Sequence, residues 1–271
     1  MIFLVLAILS STGVSLALRL SNNHEHYLYG KFFCNYVVCA LCALVSMPVF
    51  SWQGTTSMLS FMNGLLLIIG LFLMQFCMRV SGIALTSLYG RLGVCVPLIL
   101  SIFLFHEMPT VIQSLGICLS IGSIILFFYQ SKISFQLGLS LILYTLMSGL
   151  GDTMSKIYQF YGRQDLSGQY LFLSFVIAAL LSLILMLIKK QKITTMEMFY
   201  GLLIGIPNYF SSRFLLLSLN EIPSIIVYPT YAMTTILMIS LCGYLFFKEK
   251  IDKDIALTYV LTIVAIGLLN I

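Results

Sequence analysis

Long, uninterrupted apolar runs are the feature that most restricts what this chain can fold into. The hydrocarbon core of a bilayer is about 30 Å thick, and a helix needs roughly 20 apolar residues to cross it. Dividing the sequence at charges, prolines and polar clusters leaves runs of about that length at 1–19, 29–50, 58–79, 83–105, 110–129, 136–157, 168–188, 197–219, 223–247 and 255–271. Strands of a membrane barrel would alternate apolar and polar residues over about ten positions, and these runs do not. The sequence therefore predicts an all-α integral membrane protein with ten transmembrane helices.

The composition excludes the water-soluble classes of protein. Of the 271 residues, 60% are hydrophobic and 8% are charged, whereas a soluble domain carries about 25% charged residues. So little charge cannot cover a surface that faces water. We therefore exclude a soluble enzyme, a nucleic-acid-binding protein and a disordered chain.

Basic residues between the runs predict the orientation of the chain in the membrane. Lysine and arginine accumulate in cytoplasmic loops, and only Lys156 and Arg163 lie beside the even-numbered loops. The odd-numbered loops and their flanks hold Arg19, Lys31, Arg79, Lys132, Lys189, Lys190, Lys192, Lys248, Lys250 and Lys253. We therefore expect a multi-pass protein of the plasma membrane with both termini outside. Because no basic stretch precedes the first run, we expect that run to be a mature helix rather than a cleaved signal peptide.

The seven cysteines all lie within apolar runs, and their number is odd. Cys39 and Cys42 have the spacing of a redox or metal motif, but they fall within a predicted membrane helix. Cysteine there is usually a small apolar packing residue. His24 and His26 lie in the first loop, and two histidines in a solvated loop seldom bind a metal. We therefore expect no redox site, no metal site and no cofactor.

The two halves of the chain carry a weak internal repeat. When 87–107 is aligned with 229–249 without gaps, Tyr89 meets Tyr231 and Glu107 meets Glu249. Each segment ends a long run, the fourth and the ninth, and a short hairpin leads from it into a final run. We therefore divide the chain into two five-helix repeats, 1–130 and 131–271. Because five is odd, the second repeat enters the membrane inverted, and two inverted halves around a site near the midplane form a transporter architecture.

Short motifs in both halves carry a family resemblance. They are 104–110 (LFHEMPT), Gly116 and Gly122 in the first half, and 205–209 (GIPNY), 227–230 (VYPT), 245–249 (LFFKE) and Gly267 in the second. With the length, the helix count and the repeat, these motifs resemble the drug/metabolite transporter superfamily, in its ten-helix EamA-like family. The resemblance implies a secondary carrier whose central cavity is lined by helices one to four and six to nine. Its members carry amino acids, sugars, nucleotide precursors and other metabolites, so the resemblance does not name the substrate.

Two departures from the family pattern restrict what the resemblance implies. Ser87 stands where the second half has Pro229. The predicted second helix also lacks the membrane glutamate that the four-helix multidrug relatives use for proton coupling. This absence argues against a drug–proton antiporter.

Ionisable residues within the runs are few, and each costs about 2.5–3.5 kcal/mol to insert. Arg91 lies near the middle of the fourth run, where its planar fork suits a substrate carboxylate or phosphate; a buried structural pair is the alternative. Asp152 and Arg213 lie at similar depths in the sixth and eighth helices and predict an ion pair, either a gate or a fixed bridge. Lys156 follows Asp152 by one turn and is a competing partner. We assign Arg91 and Arg213 to substrate binding, and Asp152 and Lys156 to coupling or gating.

Uncharged polar residues complete the predicted substrate site. Tyr89 and Tyr231 occupy equivalent positions of the repeat, so we expect their hydroxyls and ring faces to contact the substrate. Asn208 lies in a polar stretch of the eighth helix, and Tyr228 lies in the polar start of the ninth. For all four residues, packing or hydrogen bonding between helices is the alternative.

Two further features have a structural interpretation. Glu107 ends the fourth run, and we expect it to be an interfacial carboxylate in contact with water. Gly201 and Gly205 form a GxxxG pattern, which in a bundle of many helices indicates close helix packing more often than dimerisation.

These observations favour a secondary-active carrier, acting as an exporter, for a small metabolite such as an amino acid or organic acid. Two membrane arginines against one membrane acid leave the predicted interior positive, which favours a carboxylate. The alternatives are a carrier of a neutral sugar or a hydrophobic cation held by the tyrosines, and a non-transporting membrane protein. We do not expect an enzyme, because HExxH, GxSxG and a phosphate-binding glycine loop are absent. The expected partners are the substrate, a proton or another ion if transport is coupled, and the lipid bilayer, with no nucleic acid; a monomer or a homodimer would suffice.

Overall fold

The computed structural model describes residues 1–21, 28–47, 50–81, 86, 89–90, 93–128, 135–247, 260–261, 263–265 and 267–268. Their regular secondary structure is helical, without a strand among them, and this confirms the all-α class. The helices are α1 (Ile2–Ser21), α2 (Leu28–Val45), α3 (Gly54–Ser81), α4 (Cys95–Phe105), α5 (Val111–Phe128), α6 (Phe135–Tyr161), α7 (Ser167–Ile188), α8 (Thr195–Glu221) and α9 (Ser224–Phe247). The described residues within the last predicted run, 255–271, are helical as well.

Among the described residues, six segments are long and apolar enough to cross a membrane. They are Ile2–Ser21, Leu28–Val45, Gly54–Met74, Gln164–Ile188, Thr195–Glu221 and Ser224–Gly243. α4 has 11 residues, which is too short for a span. The chain therefore has the helices of a membrane protein, while the ten-helix inverted repeat stays a prediction.

The chain forms two compact units. Unit 1 comprises Met1–Ile69 and Met154–Ser218, and unit 2 comprises Gly70–Thr153 and Leu219–Ile271. Each unit takes residues from both predicted repeats, 1–130 and 131–271. Three helices, α3, α6 and α8, contribute residues to both units.

Each unit has its own buried core. In unit 1, α2 packs extensively against α7, and the ring of Phe175 lies 6.4 Å from the ring of Tyr36 and 6.5 Å from that of Tyr209. In unit 2, the side chains of Leu98, Ile117 and Ile225 form a buried cluster where α9 meets α4 and α5. Side chains packed in this way gain van der Waals contacts, which stabilise the association of helices in a membrane.

A capping box fixes the start of α5, and a single side-chain cap fixes the start of α8. At the start of α5, the Thr110 amide donates to Gln113 Oε1 over 3.0 Å, and the Gln113 amide donates to Thr110 Oγ1 over 3.2 Å. At the start of α8, the Thr194 amide donates to Glu197 Oε2 over 2.7 Å. These bonds satisfy amide groups that have no partner within their own helix.

Candidate functional site

The predicted fourth helix is interrupted in unit 2. We expected one helix over 83–105, but Gly93 and Val94 form a turn between the helical residues 89–90 and the start of α4 at Cys95. Pro97 lies in the first turn of α4 and has no amide to donate to the Gly93 carbonyl. That carbonyl accepts from the Val96 amide instead, over 2.9 Å. Hydropathy alone did not reveal the break, because the residues around it are as apolar as a continuous helix.

Hydroxyl groups of α6 hold the carbonyls beside this break. Thr145 Oγ1 lies 2.9 Å from the Tyr89 carbonyl and 2.9 Å from the Leu141 carbonyl of its own helix, so its one proton is shared between them. Ser148 Oγ donates to the Gly90 carbonyl over 3.2 Å. The two donors are three residues apart, so they share one face of α6. A break within a membrane requires such donors, since no lipid group can hydrogen-bond a freed carbonyl.

Glycines allow α6 to approach the broken segment at backbone distance. A Cβ atom at Gly93 would lie 2.8 Å from the Gly149 amide nitrogen, and one at Gly90 would lie 2.6 Å from the Tyr144 hydroxyl. Tyr144 itself is buried with Leu141 and Cys77, and Tyr89 packs against this cluster. The ring of Tyr89 is thus partly used in packing, which was the alternative to its predicted contact with substrate.

The start of α4 presents an uncapped helix N-terminus to the break. Val94 is the N-cap residue and makes no side-chain hydrogen bond to the first turn. The N-terminus of a helix carries a partial positive charge, so it favours an anion. At α4 this charge is the main attraction, because the Val96 amide is bonded to the Gly93 carbonyl and Pro97 has no amide. Arg91 lies two residues before Gly93 in the sequence, outside the described residues.

On α9, Tyr228 joins α6 through a buried hydrogen bond. The Tyr228 side chain is fully buried, and its hydroxyl donates to the Asp152 carbonyl over 2.9 Å. Tyr231 is 8% exposed, and the hydroxyl of Thr230, beside it, is buried without a hydrogen-bond partner among the described residues. This hydrogen bond between α9 and α6 supports the alternative role of Tyr228, in helix packing rather than substrate contact.

Glu107, which we expected to be an interfacial carboxylate in contact with water, has tertiary partners as well. It is half-buried in unit 2, and its Oε2 accepts from Ser224 Oγ over 2.6 Å and from the Ile225 amide over 3.1 Å. Ser224 Oγ also lies 2.7 Å from Ser101 Oγ. The carboxylate therefore caps the start of α9 from the segment after α4, where it meets the positive end of the helix dipole.

In unit 1, Asn208 pairs with a second asparagine. Its Nδ2 donates to Asn35 Oδ1 over 3.3 Å, and Asn35 is 2% exposed. The GxxxG pattern lies at the same helix contact, since a Cβ atom at Gly205 would be 2.8 Å from the Asn35 carbonyl oxygen. A Cβ atom at Gly201 would overlap Cys34. α8 therefore packs closely on α2 through these glycines, as the pattern predicts.

Arg213 in unit 1 donates from Nη1 to Ser167 Oγ over 2.7 Å, at the start of α7. Its predicted partner Asp152 belongs to unit 2, and their ion pair stays a prediction. Lys156 lies one turn after Asp152 on α6 and is 5% exposed.

Lys31, which we expected to mark a loop, is buried in α2 and donates to Ser21 Oγ over 3.0 Å.

Sequence reasoning missed several polar residues that the structure brings to these sites. They are Thr145, Ser148, Ser167 and Ser224. A usable signal existed on α6, where Thr145, Ser148 and Gly149 put small and polar residues on one face. Such a face favours close approach between membrane helices.

Among the described residues there is no group of three or more His, Cys, Asp or Glu side chains that could hold a metal ion.

Comparison with known proteins supports the fold over the full length of the chain. No family model matches the sequence. An uncharacterized protein of Haemophilus influenzae is 24% identical over 266 residues, which cover 92% of this chain and 91% of the relative. A crystal structure of another protein is similar with a TM-score of 0.78 at 12% identity, covering 100% of this chain and 97% of that chain. At this low identity the structural likeness extends to the fold alone.

Proposed function

We propose that the protein is a secondary-active carrier of the plasma membrane that exports a small metabolite, such as an amino acid or organic acid, by alternating access. The proposal includes membership of the EamA-like family and no enzymatic activity. Two inverted repeats that rock around a site near the midplane would expose this site to each side in turn.

The break at Gly93 and Val94 is the observation that carries the proposal. Carriers use discontinuous helices at their substrate sites, where free helix ends and unwound backbone meet the substrate. Here the break leaves the N-terminus of α4 uncapped, while Thr145 and Ser148 hold the carbonyls before it. A protein that only filled space in the membrane would gain nothing from an interrupted helix and buried hydroxyls.

A carboxylate is the substrate group that fits this arrangement best. The positive end of α4 faces the break, and Arg91 comes two residues before Gly93 in the sequence. An arginine beside a helix N-terminus provides both charge and donors for two carboxylate oxygens. A hydrophobic cation would meet repulsion from both groups.

A thermal-unfolding panel on purified protein tests this substrate class. The ligands are amino acids, organic acids, sugars and lipophilic cations, and the variants are Arg91→Gln and, as a control, Arg163→Gln in the exposed loop before α7. A ligand that binds the folded state raises its stability by about 2.7 kcal/mol at a hundredfold excess over its Kd. We expect carboxylates to stabilise the wild type and Arg163→Gln but not Arg91→Gln. If only sugars or cations stabilise the protein, and do so equally in all three proteins, the carboxylate proposal is contradicted and the corresponding alternative substrate class is supported.

A further inference from the structure

Three exposed lysines follow α7 in unit 1. α7 ends at Ile188, and Lys189, Lys190 and Lys192 project from the loop that leads to α8. Lys190 has φ 51°, in the left-handed region where glycine is usual. A lysine there costs conformational energy that a glycine would not.

Hydrogen bonds hold this basic loop in place. The Gln191 amide donates to the Met186 carbonyl over 3.0 Å, and Gln191 Oε1 accepts from the Tyr29 amide over 2.9 Å. The Lys192 carbonyl lies against Gly30, where a Cβ atom would be 3.2 Å away. Glu197, the first acid after the loop in the sequence, is 7% exposed and caps α8 through Thr194. The loop therefore presents a fixed, net positive surface.

An apolar groove of about 360 Å³ runs between α1 and α8 in the same unit. It is lined by Gly13, Leu16, Ala17, Leu20, Leu202, Leu203, Ile206 and Pro207. The two helices come closest at Gly13, where a Cβ atom would lie 3.4 Å from Pro207 Cβ. From Gly13 to Leu20 the groove extends about 10 Å along α1, at 1.5 Å per residue, which is most of one leaflet of a hydrocarbon core about 30 Å thick.

The groove opens at the same end of unit 1 as the basic loop. Leu20 lies at the end of α1, and the next residue, Ser21, accepts the hydrogen bond from Lys31. Lys31 follows Gly30, which touches the Lys192 carbonyl. On the other wall, Leu202 is in the second turn of α8, just after the loop. An apolar channel thus leads directly away from the three lysines.

We propose that this groove and loop form a binding site for an anionic phospholipid, with one acyl chain between α1 and α8 and the phosphate on Lys189, Lys190 and Lys192. The apolar lining matches an acyl chain at membrane depth. The lysines match a headgroup phosphate at the interface, where clustered basic residues bind anionic lipids. A second copy of the chain would bring the same three lysines and no complementary charge, so the lipid fits better. This site is separate from the proposed transport function.

Thermal unfolding of the purified full-length protein in a neutral detergent tests the site. The unfolding midpoint is followed during addition of dioleoylphosphatidylglycerol, dioleoylphosphatidylcholine or glycerol 3-phosphate. We expect saturable stabilisation by phosphatidylglycerol, and little by the other two. Equal effects of the two lipids would contradict the role of the lysines. An effect of glycerol 3-phosphate equal to that of phosphatidylglycerol would contradict the role of the groove.

Matched variants test each part of the site. Neutralising the lysines to glutamine should raise the apparent Kd for phosphatidylglycerol about fivefold per lysine, whereas Arg163→Gln, at the other end of α7, should leave it unchanged. Leu202→Trp should fill the groove and weaken binding, whereas Leu180→Trp, on α7 outside the groove, should not. Leu202 is 51% exposed and Leu180 is 54% exposed, so both accept a larger side chain. Unchanged binding by Leu202→Trp, or a dimer that this variant dissociates, would overturn the proposal.

Discussion

The backbones of Gly93 and Gly149 are in contact, with 2.8 Å between the Gly149 amide nitrogen and the place of a Cβ atom on Gly93. This contact brings α6 against the broken segment before α4. It also lets Thr145 and Ser148 reach the carbonyls of Tyr89 and Gly90. The proposed site therefore depends on the absence of side chains at two positions.

Replacing Gly149 by alanine should destabilise the protein. The new Cβ atom would overlap the Gly93 carbonyl and lie 2.6 Å from Val96 Cβ, and such overpacking costs about 1–3 kcal/mol. Gly151→Ala is the control, because nothing lies within 4 Å of its Cβ position and alanine is favoured in a helix by about 1 kcal/mol. Thermal unfolding should show a loss for the first variant and none for the second. If the two variants had equal unfolding midpoints, the backbones at Gly93 and Gly149 could move apart without loss of stability, which would contradict this prediction.

Thr145→Val should lower stability and weaken substrate affinity together. Valine keeps the shape of threonine but leaves the Tyr89 carbonyl without this donor, at a cost of about 1–3 kcal/mol for a buried group. Thr153→Val is the matched control on α6, since its hydroxyl bonds to the Gly149 carbonyl of its own helix over 2.7 Å. Calorimetry and ligand titration of both variants check this. A Thr145→Val protein with wild-type affinity would show that the break is not part of the substrate site.

Glu107 and Ser224 should be energetically coupled. The structure joins them over 2.6 Å at the start of α9, and contacting residues show interaction energies of about 0.5–3 kcal/mol in double-mutant cycles. The cycle uses Glu107→Ala, Ser224→Ala and the double variant, measured by denaturant unfolding. If the losses in free energy of unfolding of the two single variants simply add in the double variant, Glu107 stabilises α9 through a partner other than Ser224.

Asn208→Ala should affect stability rather than ligand binding. Its hydrogen bond to Asn35 is of a kind that averages about 0.6 kcal/mol between membrane helices. Asn35→Ala and the double variant complete the cycle, and the ligand Kd is measured in each protein. A change in Kd without a change in stability would restore Asn208 to the substrate-binding role that its sequence position suggests.

The helical class could be predicted because it follows from the length of the apolar runs. The bounds of α1, α7 and α9 lie within about three residues of the predicted ones, since charges or prolines end these runs. α2 ends at Val45, whereas the predicted run reached residue 50. The prediction was too long because apolar residues continue beyond the last turn of this helix. Hydropathy reports where a chain is apolar, and it does not report where a helix ends inside an apolar segment.

The polar contacts of the site could not be predicted in the same way. Glu107 and Lys31 stand at the ends of runs, where water or a tertiary partner would satisfy them equally well. In the fold, Glu107 bonds to Ser224 and Lys31 bonds to Ser21. Each of these partners lies beyond the residue's own helix, so the local sequence carries no sign of it. Gly90, Gly93 and Pro97 together did signal a break, and a pattern of this kind is readable before a structure is known.

Counterflow in proteoliposomes tests the central claim, that the protein carries a small carboxylate across the membrane. Liposomes are loaded with an unlabelled acid that stabilises the protein, and uptake of the labelled acid is followed. We expect transient accumulation with the wild type and with Arg163→Gln, and a rate lower by about tenfold or more with Arg91→Gln, because a charge-assisted hydrogen bond contributes about 1.5–3 kcal/mol. Accumulation no greater than in protein-free liposomes, for every acid that stabilises the protein, would contradict the account.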